Sequence, residues 1–137
     1  MNILYDQPTP DEYNALRKSV GLAKKEVQMV EQAYRHSLFS VTVRGENEKL
    51  LGVGRIIGDG ACYFQIVDVL AHSEGKNQGE IEETIMNELI SYLTQNALND
   101  ANITVMSDVW SIKFYQKFGF ELVYPDYYGM SKGSIGK

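Results

Sequence analysis

The middle of the sequence holds three segments rich in β-forming residues, with only short turn signals between them. Residues 38–43 read LFSVTV, residues 50–57 read LLGVGRII, and residues 63–72 read YFQIVDVLAH. The turn-like RGENEK separates the first two, and Asp59-Gly60, a dipeptide that two-residue type I′ turns favour, separates the last two. The pattern predicts two successive hairpins and therefore three antiparallel strands.

Helical periodicity lies on both sides of these strands. Residues 11–20 and 23–34 predict two short helices separated by Gly21, and a third helix is predicted from Ile81, with apolar residues along one face as far as Leu93. Residues 102–107 (NITVMS) predict a strand, and residues 109–119 an amphipathic helix closed by Gly119. Residues 120–124 (FELVY) and 125–130 predict two further strands. The sequence thus predicts a mixed α/β fold with a central, mostly antiparallel sheet of about six to seven strands and about four helices.

Length and composition favour one soluble domain over residues 1–137. The hydrophobic content of 44% and the charged content of 23% are near the averages of globular proteins. A single cysteine excludes an internal disulfide, and no apolar run approaches the roughly 18 residues of a membrane span. The amino terminus lacks the basic and apolar segments of an export signal, so we expect a cytoplasmic protein.

The charge of the chain bears on its partners. A net charge of -5 argues against a nucleic-acid partner, because phosphate backbones are bound through clustered Lys and Arg, and it favours a small-molecule substrate. His36, His72 and Cys62 have no further ligand at metal-binding spacing, so no metal site is predicted. The sequence leaves the oligomeric state open between a monomer and a homodimer.

The segment HSEGKNQGEIEETIM, residues 72–86, joins the third predicted strand to the third predicted helix. The amino terminus of a helix presents unpaired N–H groups and a partial positive charge, which suit a pyrophosphate. This loop, the order of elements, and FYQKFGF at residues 114–120 together resemble the GNAT superfamily of N-acetyltransferases over essentially the whole chain. GRIIGDG at residues 54–60 and YFQIVDVLAH at residues 63–72 are similar to one bacterial branch of that family.

The resemblance implies that acetyl-CoA donates an acetyl group to a primary amine of a small molecule, by direct attack in a ternary complex. It also implies a sheet that splays between residues 66–72 and residues 102–107, with the pantetheine arm of coenzyme A in the gap. The implied cofactor-binding residues are Val69, Leu70, Ala71, Gly75, Lys76, Asn77, Gln78, Gly79, Glu80, Asp108 and Tyr115. Tyr115 matches the tyrosine that the family often places near the thiolate. It is therefore a candidate proton donor, and a packed aromatic residue is the alternative.

Acidic residues in the same loop leave a second interpretation open. Glu80, Glu82 and Glu83 are predicted in the first helical turn, where an acid gains roughly 0.3–1 kcal/mol from the helix dipole and occupies the field of a pyrophosphate. Asn77 followed by Glu80 also resembles a capping box, which would engage amides that an anion needs. The alternative function is a non-catalytic binding or regulatory module that keeps the fold, with coenzyme A binding weakened or lost.

Asp68 is an acidic residue inside the otherwise apolar segment IVDVLA, where a buried carboxylate is costly unless it is paired. It is a candidate catalytic base or an anchor for the acceptor amine. Arg55 on the preceding strand is a candidate substrate contact, and a structural ion pair between Arg55 and Asp68 is the alternative. Tyr127 and Tyr128 are candidate residues of the acceptor pocket or cover an edge of the sheet.

Overall fold

The structure is a computed structural model that describes residues 1–73 and 77–133. Contacts divide the chain into two compact units, Met1–Val105 and Met106–Lys137. Within the described residues, no helix combines the length and the apolar character needed to cross a bilayer.

The first unit contains a five-stranded sheet. Its elements in chain order are β1 (Asn2–Leu4), α1 (Pro10–Ser19), α2 (Val27–Arg35), β2 (Phe39–Arg44), β3 (Leu50–Gly58), β4 (Tyr63–Ala71), α3 (Gln78–Asn96) and β5 (Asn102–Val105). The strands lie in the order β1-β2-β3-β4-β5, antiparallel except for the parallel pair β4 and β5. The predicted mixed α/β fold with a mostly antiparallel sheet is confirmed, but the described residues form five strands rather than six or seven.

The two amino-terminal helices begin where local hydrogen bonds favour them. The Thr9 hydroxyl accepts from the Glu12 amide at 3.2 Å, and the Glu12 carboxylate accepts from the Thr9 amide at 2.9 Å, which forms a capping box at α1. Helix α2 begins at Val27, later than predicted. The reason is that the main chain of Lys25 bonds to the Asn14 side chain in both directions, at 2.8 Å each, instead of entering a helix.

Helix α3 packs directly against the backbone of β3. A Cβ on Gly52 would lie 2.7 Å from Ile81 Cγ2, and a Cβ on Gly54 would lie 2.4 Å from Ile85 Cγ2. A side chain at either position would therefore force the Ile81 or Ile85 side chain, or the helix itself, to shift. The apolar stripe predicted from Ile81 to Leu93 is confirmed as the buried face of α3.

Helices α1 and α2 cover the opposite face of the sheet. Their buried contacts form two clusters, Leu16, Leu50 and Val53 in one and Tyr13, Val30 and Tyr34 in the other. Leu70 of β4 packs against both clusters. Because each large apolar side chain contributes roughly 1.5–3 kcal/mol when fully buried, these clusters hold the two helices to the sheet.

The hairpin between β3 and β4 differs from the predicted type I′ turn. That turn requires positive φ at both central residues, and among Asp59 and Gly60 only Gly60 has it. Residues 59–62 form a longer connection, in which the Asp59 carboxylate accepts from the amides of Ala61, Cys62 and Tyr63 at 2.8, 2.8 and 3.0 Å. Hydrogen bonds from the amides of Tyr63, Ala61 and Cys62 hold the pKa of Asp59 below its ordinary value.

The described part of the second unit contains the short helix α4 (Ile112–Gln116), which follows a 3-10 turn at Val109–Ser111. Gly119 has φ +92° just beyond α4 and donates its amide to the Gln116 carbonyl at 3.1 Å. The Phe120 amide bonds back to the Tyr115 carbonyl at 3.4 Å, which completes a glycine-closed helix end. The predicted closure by Gly119 is confirmed.

The strands predicted over residues 120–124 and 125–130 are wrong, because residues 120–133 form turns and irregular structure. The preference of a segment for strand depends on packing against a neighbouring strand more than on the backbone itself. Residues 106–133 contain no strand that could pair with FELVY. Pro125 has no amide to donate to a ladder.

We expect Gly54→Ala to lower the free energy of unfolding by about 1–3 kcal/mol, because the added methyl overlaps Ile85 and overpacking costs about that much. Gly79→Ala is the matched control, since a Cβ there would meet nothing within 4 Å and alanine is favoured in a helix. Urea denaturation of both variants measures the difference. Equal loss in the two variants would contradict the close packing of α3 on Gly54.

A second prediction concerns acid stability. The Arg44 guanidinium, bonded to Glu12 at 2.7 Å, holds the pKa of the Glu12 carboxyl below its ordinary value of 4.5. The pair therefore stabilises the fold above the unfolded pKa, and this contribution is lost as pH falls through the lowered folded pKa. Glu12→Gln keeps the capping box, so it should be less stable than wild type at pH 7 and equally stable well below pH 4.5.

Urea midpoints at pH 7 and at acidic pH check this expectation. Glu31→Gln, at an exposed glutamate of α2, is the control and should behave as wild type. If the Glu12→Gln variant is as much less stable than wild type in acid as it is at pH 7, the ion pair is not the cause of its lower stability.

Candidate active site

Strand β4 carries a β-bulge opposite Gly54. The register shifts between Val53 and Arg55 of β3, so that Asp68 and Val69 of β4 face Gly54 alone. Asp68 has φ +55°, in the left-handed region that aspartate and asparagine enter more readily than other non-glycine residues. A bulge bends its strand, increases the local twist and re-aims a side chain. Asp68 is the residue at the bulge whose side chain is re-aimed in this way.

The sheet opens next to this bulge. Strands β4 and β5 pair in parallel from Tyr63 and Asn102 to Ile66 and Val105, and the ladder ends there. Strand β4 continues to Ala71, paired only with β3 among the described strands. Residues 67–71, which include the predicted cofactor contacts Val69, Leu70 and Ala71, thus have an unpaired side. The predicted splay between residues 66–72 and residues 102–107 is confirmed, and the structure places its start after Ile66 and Val105.

Helix α3 begins at Gln78, three residues before the apolar pattern starts at Ile81. Asn77 precedes it with φ -109° and ψ 25° and makes no side-chain cap bond. The predicted capping box of Asn77 and Glu80 is therefore wrong, since a capping side chain requires an extended backbone such as that of Thr9. The Ile81 amide makes a first intrahelical bond, to the Asn77 carbonyl at 2.8 Å.

The amides of Gln78, Gly79 and Glu80 come before Ile81 in the chain, so they have no hydrogen-bond partner within the helix, as at any helix amino terminus. The Gln78 side chain donates from Nε2 to the Ala71 carbonyl at 3.1 Å, which ties the helix start to the end of β4. A Cβ at Gly79 would enter open space, so the backbone is accessible there. The predicted cofactor residues Gly75 and Lys76 lie outside the described residues.

The acidic residues of α3 are distributed differently from the prediction. Because the helix starts at Gln78, Glu80 is the acidic residue of the first turn, and Glu82 and Glu83 fall in the second turn. The effect of the helix dipole decreases beyond the first turn. Glu80 is therefore the acid with the strongest influence on an anion at the helix start.

Asp68 is the centre of a partly buried polar cluster. Its Oδ2 accepts from Tyr13 Oη at 2.8 Å and from Arg55 Nε at 3.0 Å, and its Oδ1 lies 3.9 Å from Arg17 Nη1. Arg55 also donates to Ser37 Oγ at 3.2 Å. The structure thus contains the Arg55–Asp68 ion pair that the sequence offered as an alternative to catalysis. Two guanidinium groups against one carboxylate leave the cluster with a net positive charge.

Two tyrosines border this cluster. Burial, and next the charge of Asp68, raise the pKa of the Tyr13 phenol and of the Tyr34 phenol. Both groups are therefore neutral hydrogen-bond donors at physiological pH. The rings of Tyr13 and Tyr34 meet edge to face at 5.6 Å, and the Arg55 guanidinium lies 5.4 Å from the Tyr34 ring centroid.

Sequence reasoning missed the contribution of Tyr13, Arg17 and Tyr34 to this cluster. Tyr13 and Arg17 lie four residues apart on α1 and so share one helical face. An aspartate inside an apolar strand requires donors from elsewhere, and a tyrosine and an arginine on one amphipathic face are suitable donors. That combination was the available signal.

The remaining predicted residues lie in the second unit. The Asp108 carboxylate accepts from the Ser111 amide at 2.9 Å and so begins the 3-10 turn. Tyr115 lies on α4, with its ring edge to face against Phe114 and Phe120. Tyr127 and Tyr128 are exposed, and the Tyr128 ring contacts Tyr124 at 5.3 Å. The roles proposed for these residues stay predictions.

The chain is similar to several solved structures. A protein of unknown function from meticillin-resistant Staphylococcus aureus, described as a probable acetyltransferase, is 33% identical, with a TM-score of 0.87 over 95% of this chain and 96% of that one. A GNAT-family acetyltransferase from Streptococcus pneumoniae is 24% identical, with a TM-score of 0.75 over 95% of each chain. The aminoglycoside 6'-N-acetyltransferase of Enterococcus faecium shares the fold at 13% identity, with a TM-score of 0.71 over 90% of this chain and 86% of that one. No protein-family model and no curated protein matches the sequence.

The polar cluster predicts the effect of Asp68→Asn. Asparagine tolerates the left-handed backbone, so the substitution removes mainly the charge. Arg17 and Arg55 would lose their counter-charge, and we expect about 2 kcal/mol less stability. Thermal or urea unfolding measures this, with Asp100→Asn at an exposed turn as the control. Unchanged stability with abolished turnover would instead identify Asp68 as a base.

Proposed function

We propose, from the premise that this chain belongs to the GNAT superfamily of N-acetyltransferases, that it transfers the acetyl group of acetyl-CoA to a primary amine of a small molecule. The observation that carries the proposal is the end of the β4–β5 ladder at Ile66 and Val105, beside which β4 continues to Ala71. Acetyl-CoA supplies the acetyl group as a thioester when it is bound. The residues of the chain hold the reactants and move protons.

The unpaired side of β4 suits the pantetheine arm, whose amides can bond to strand backbone as an added strand does. The His72 amide donates to the Leu51 carbonyl of β3 at 2.8 Å, and backbone groups alternate in direction along a strand. The backbone N–H and C=O groups of Leu70 therefore also point toward β3. The Ala71 carbonyl already accepts a hydrogen bond from the Gln78 side chain. We assign the arm to the backbone of Val69 and to the amide of Ala71.

The start of α3 suits the pyrophosphate. The amides of Gln78, Gly79 and Glu80 precede the first intrahelical bond, and open space lies beside Gly79. The positive end of the helix dipole favours an anion at this position. The negative charge of the Glu80 carboxylate repels an anion at this position. We therefore expect a weaker affinity for coenzyme A than the same site would have without this charge.

The chemistry requires an uncharged amine that attacks the thioester carbonyl, so that a C–N bond forms as the C–S bond breaks. One proton leaves the amine and one reaches the sulfur. We assign the second transfer to the Tyr115 phenol, because a neutral tyrosine is a suitable donor to a departing thiolate. The oxygens of Asp68 already accept hydrogen bonds from Tyr13 and Arg55, so water is the preferred acceptor of the amine proton.

A small-molecule acceptor agrees with two observations. The relative from Enterococcus faecium acts, by its name, on an amino group of an aminoglycoside. The net charge of -5 of the present chain favours a cationic amine over an anionic polymer. In the first unit we assign the acceptor amine to the surroundings of Asp68 and Arg55. Tyr127 and Tyr128 stay candidate acceptor contacts, and Asp108 stays a candidate contact of coenzyme A.

We expect Glu80→Gln to tighten coenzyme A binding by about two- to fivefold, because removing an acid from the first turn is worth roughly 0.3–1 kcal/mol to an anion there. Glu82→Gln removes the same charge two residues later, beyond the first turn, and should have a smaller effect. Isothermal titration calorimetry measures both affinities. No detectable coenzyme A binding by any of these proteins would favour the non-catalytic alternative, and equal effects would exclude the helix start as the phosphate site.

Tyr115→Phe tests the proton donor. We expect kcat to fall about 100-fold while the affinity for coenzyme A stays the same, because general acid catalysis contributes on that order. Thiol release from acetyl-CoA with a panel of amines measures turnover. Tyr124→Phe removes a hydroxyl from an exposed tyrosine of the same unit and is the matched control. Equal rates for wild type and Tyr115→Phe would return Tyr115 to a packing role.

A further inference from the structure

A small pocket of about 170 Å³ lies between α1, α2 and β3 in the first unit. Met29, Val30 and Ala33 of α2 form an apolar wall, and Lys25, Tyr34 and Arg55 contribute polar groups. None of the described residues that line it is acidic. The pocket therefore combines a short apolar wall with positive charge.

The hydroxyl of Tyr34 is the buried side-chain polar atom that has no hydrogen-bond partner among the described residues. Tyr34 is 3% exposed, and phenylalanine would give the same apolar packing without this group. A buried donor without an acceptor costs free energy that a fold rarely tolerates. Tyr34 is one of the residues that line the pocket, so a ligand there is a candidate source of the acceptor atom.

Two cationic residues of the pocket lining, Arg55 and Lys25, favour a negatively charged ligand. Arg55 uses Nε for Asp68 and Nη1 for Ser37, and no described residue accepts from its Nη2. The main chain of Lys25 is held by two hydrogen bonds to the Asn14 side chain, and Lys25 is one of the residues that line the pocket. The Asp68 carboxylate, which bonds to Arg55 and to Tyr13 of the pocket lining, is already matched by Arg55 and Arg17. The surplus charge at the pocket is positive.

We infer that this pocket binds a small carboxylate through the Tyr34 hydroxyl, Arg55 and Lys25, with the short carbon chain of the ligand against Met29, Val30 and Ala33. An apolar wall favours an alkyl carboxylate over inorganic phosphate, which has no apolar part. Resting on the proposed function, we also assign the acceptor class: a primary amine that carries a carboxylate.

The binding test uses propionate, a probe without an amine. Protein with 13Cζ-labelled tyrosine is titrated with propionate, propylamine and phosphate, and the Tyr34 signal is identified by its loss in Tyr34→Phe. Propionate should shift the Tyr34 signal saturably, and the other two should not. Tyr34→Phe, followed at the Tyr13 signal, should bind propionate at least tenfold more weakly without a lower unfolding temperature.

Two further variants keep this test decisive. Lys25→Gln alters an exposed side chain and should weaken propionate binding several-fold. Tyr92→Phe removes a hydroxyl on α3, where the ring stacks on Phe39, and should bind as wild type does. Absence of a saturable shift, equal binding of propylamine or phosphate, or unchanged affinity in both pocket variants would overturn the inference.

The transferase arm compares β-alanine with propylamine as acceptors. We expect kcat/KM for β-alanine to be at least tenfold higher in the wild type, and Tyr34→Phe to bring the two amines close to parity. Propionate binding without acetyl transfer to any amine would contradict the proposed function and leave the carboxylate pocket standing. Transfer with equal use of both amines and no propionate binding would overturn the pocket alone.

Discussion

The left-handed backbone at Asp68 is the constraint on which the geometry of the first unit depends. The bulge that it creates bends β4 directly after Ile66, the last residue paired with β5, so the strand leaves its parallel neighbour at that point. The same backbone turn places the Asp68 carboxylate against Tyr13 and Arg55. Since a non-glycine residue in this region is strained, those two bonds help to maintain it. One backbone conformation thus opens the sheet and gathers the polar cluster.

Gly54 couples this bulge to the helix on the other face of the sheet. It stands alone opposite Asp68 and Val69, and its missing side chain admits Ile85 of α3 to contact distance. The position of α3 in turn fixes its amino terminus, which Gln78 ties to the end of β4 at Ala71. The unpaired edge of β4 and the start of α3 are therefore held next to each other by the packing of Ile85 on Gly54 and by the Gln78 side chain.

The parts of this fold that follow from local spacing could be predicted, and the parts that depend on tertiary placement could not. The apolar stripe of α3 and the pairing of Asp68 with Arg55 across a hairpin follow from periodicity and from adjacent strands. Residues 120–130 have strand composition but no partner strand within the described second unit, and composition alone cannot supply one. The capping box at Asn77 fails on a single backbone angle, which the sequence does not specify.

The Tyr34 hydroxyl illustrates the difference between a site and a core. Around it, Tyr13 donates to Asp68, and Arg55 donates from Nε to Asp68 and from Nη1 to Ser37, so these three donor groups have partners within the protein. A buried hydroxyl without a hydrogen-bond partner lowers stability. If Tyr34 served only to pack the core, we would therefore expect either a phenylalanine at this position or a partner for the hydroxyl. The surplus of positive charge beside it also runs against the net charge of -5 of the whole chain. An unpaired donor and locally reversed charge at one cavity wall are what the binding of an anion requires, and folding requires neither.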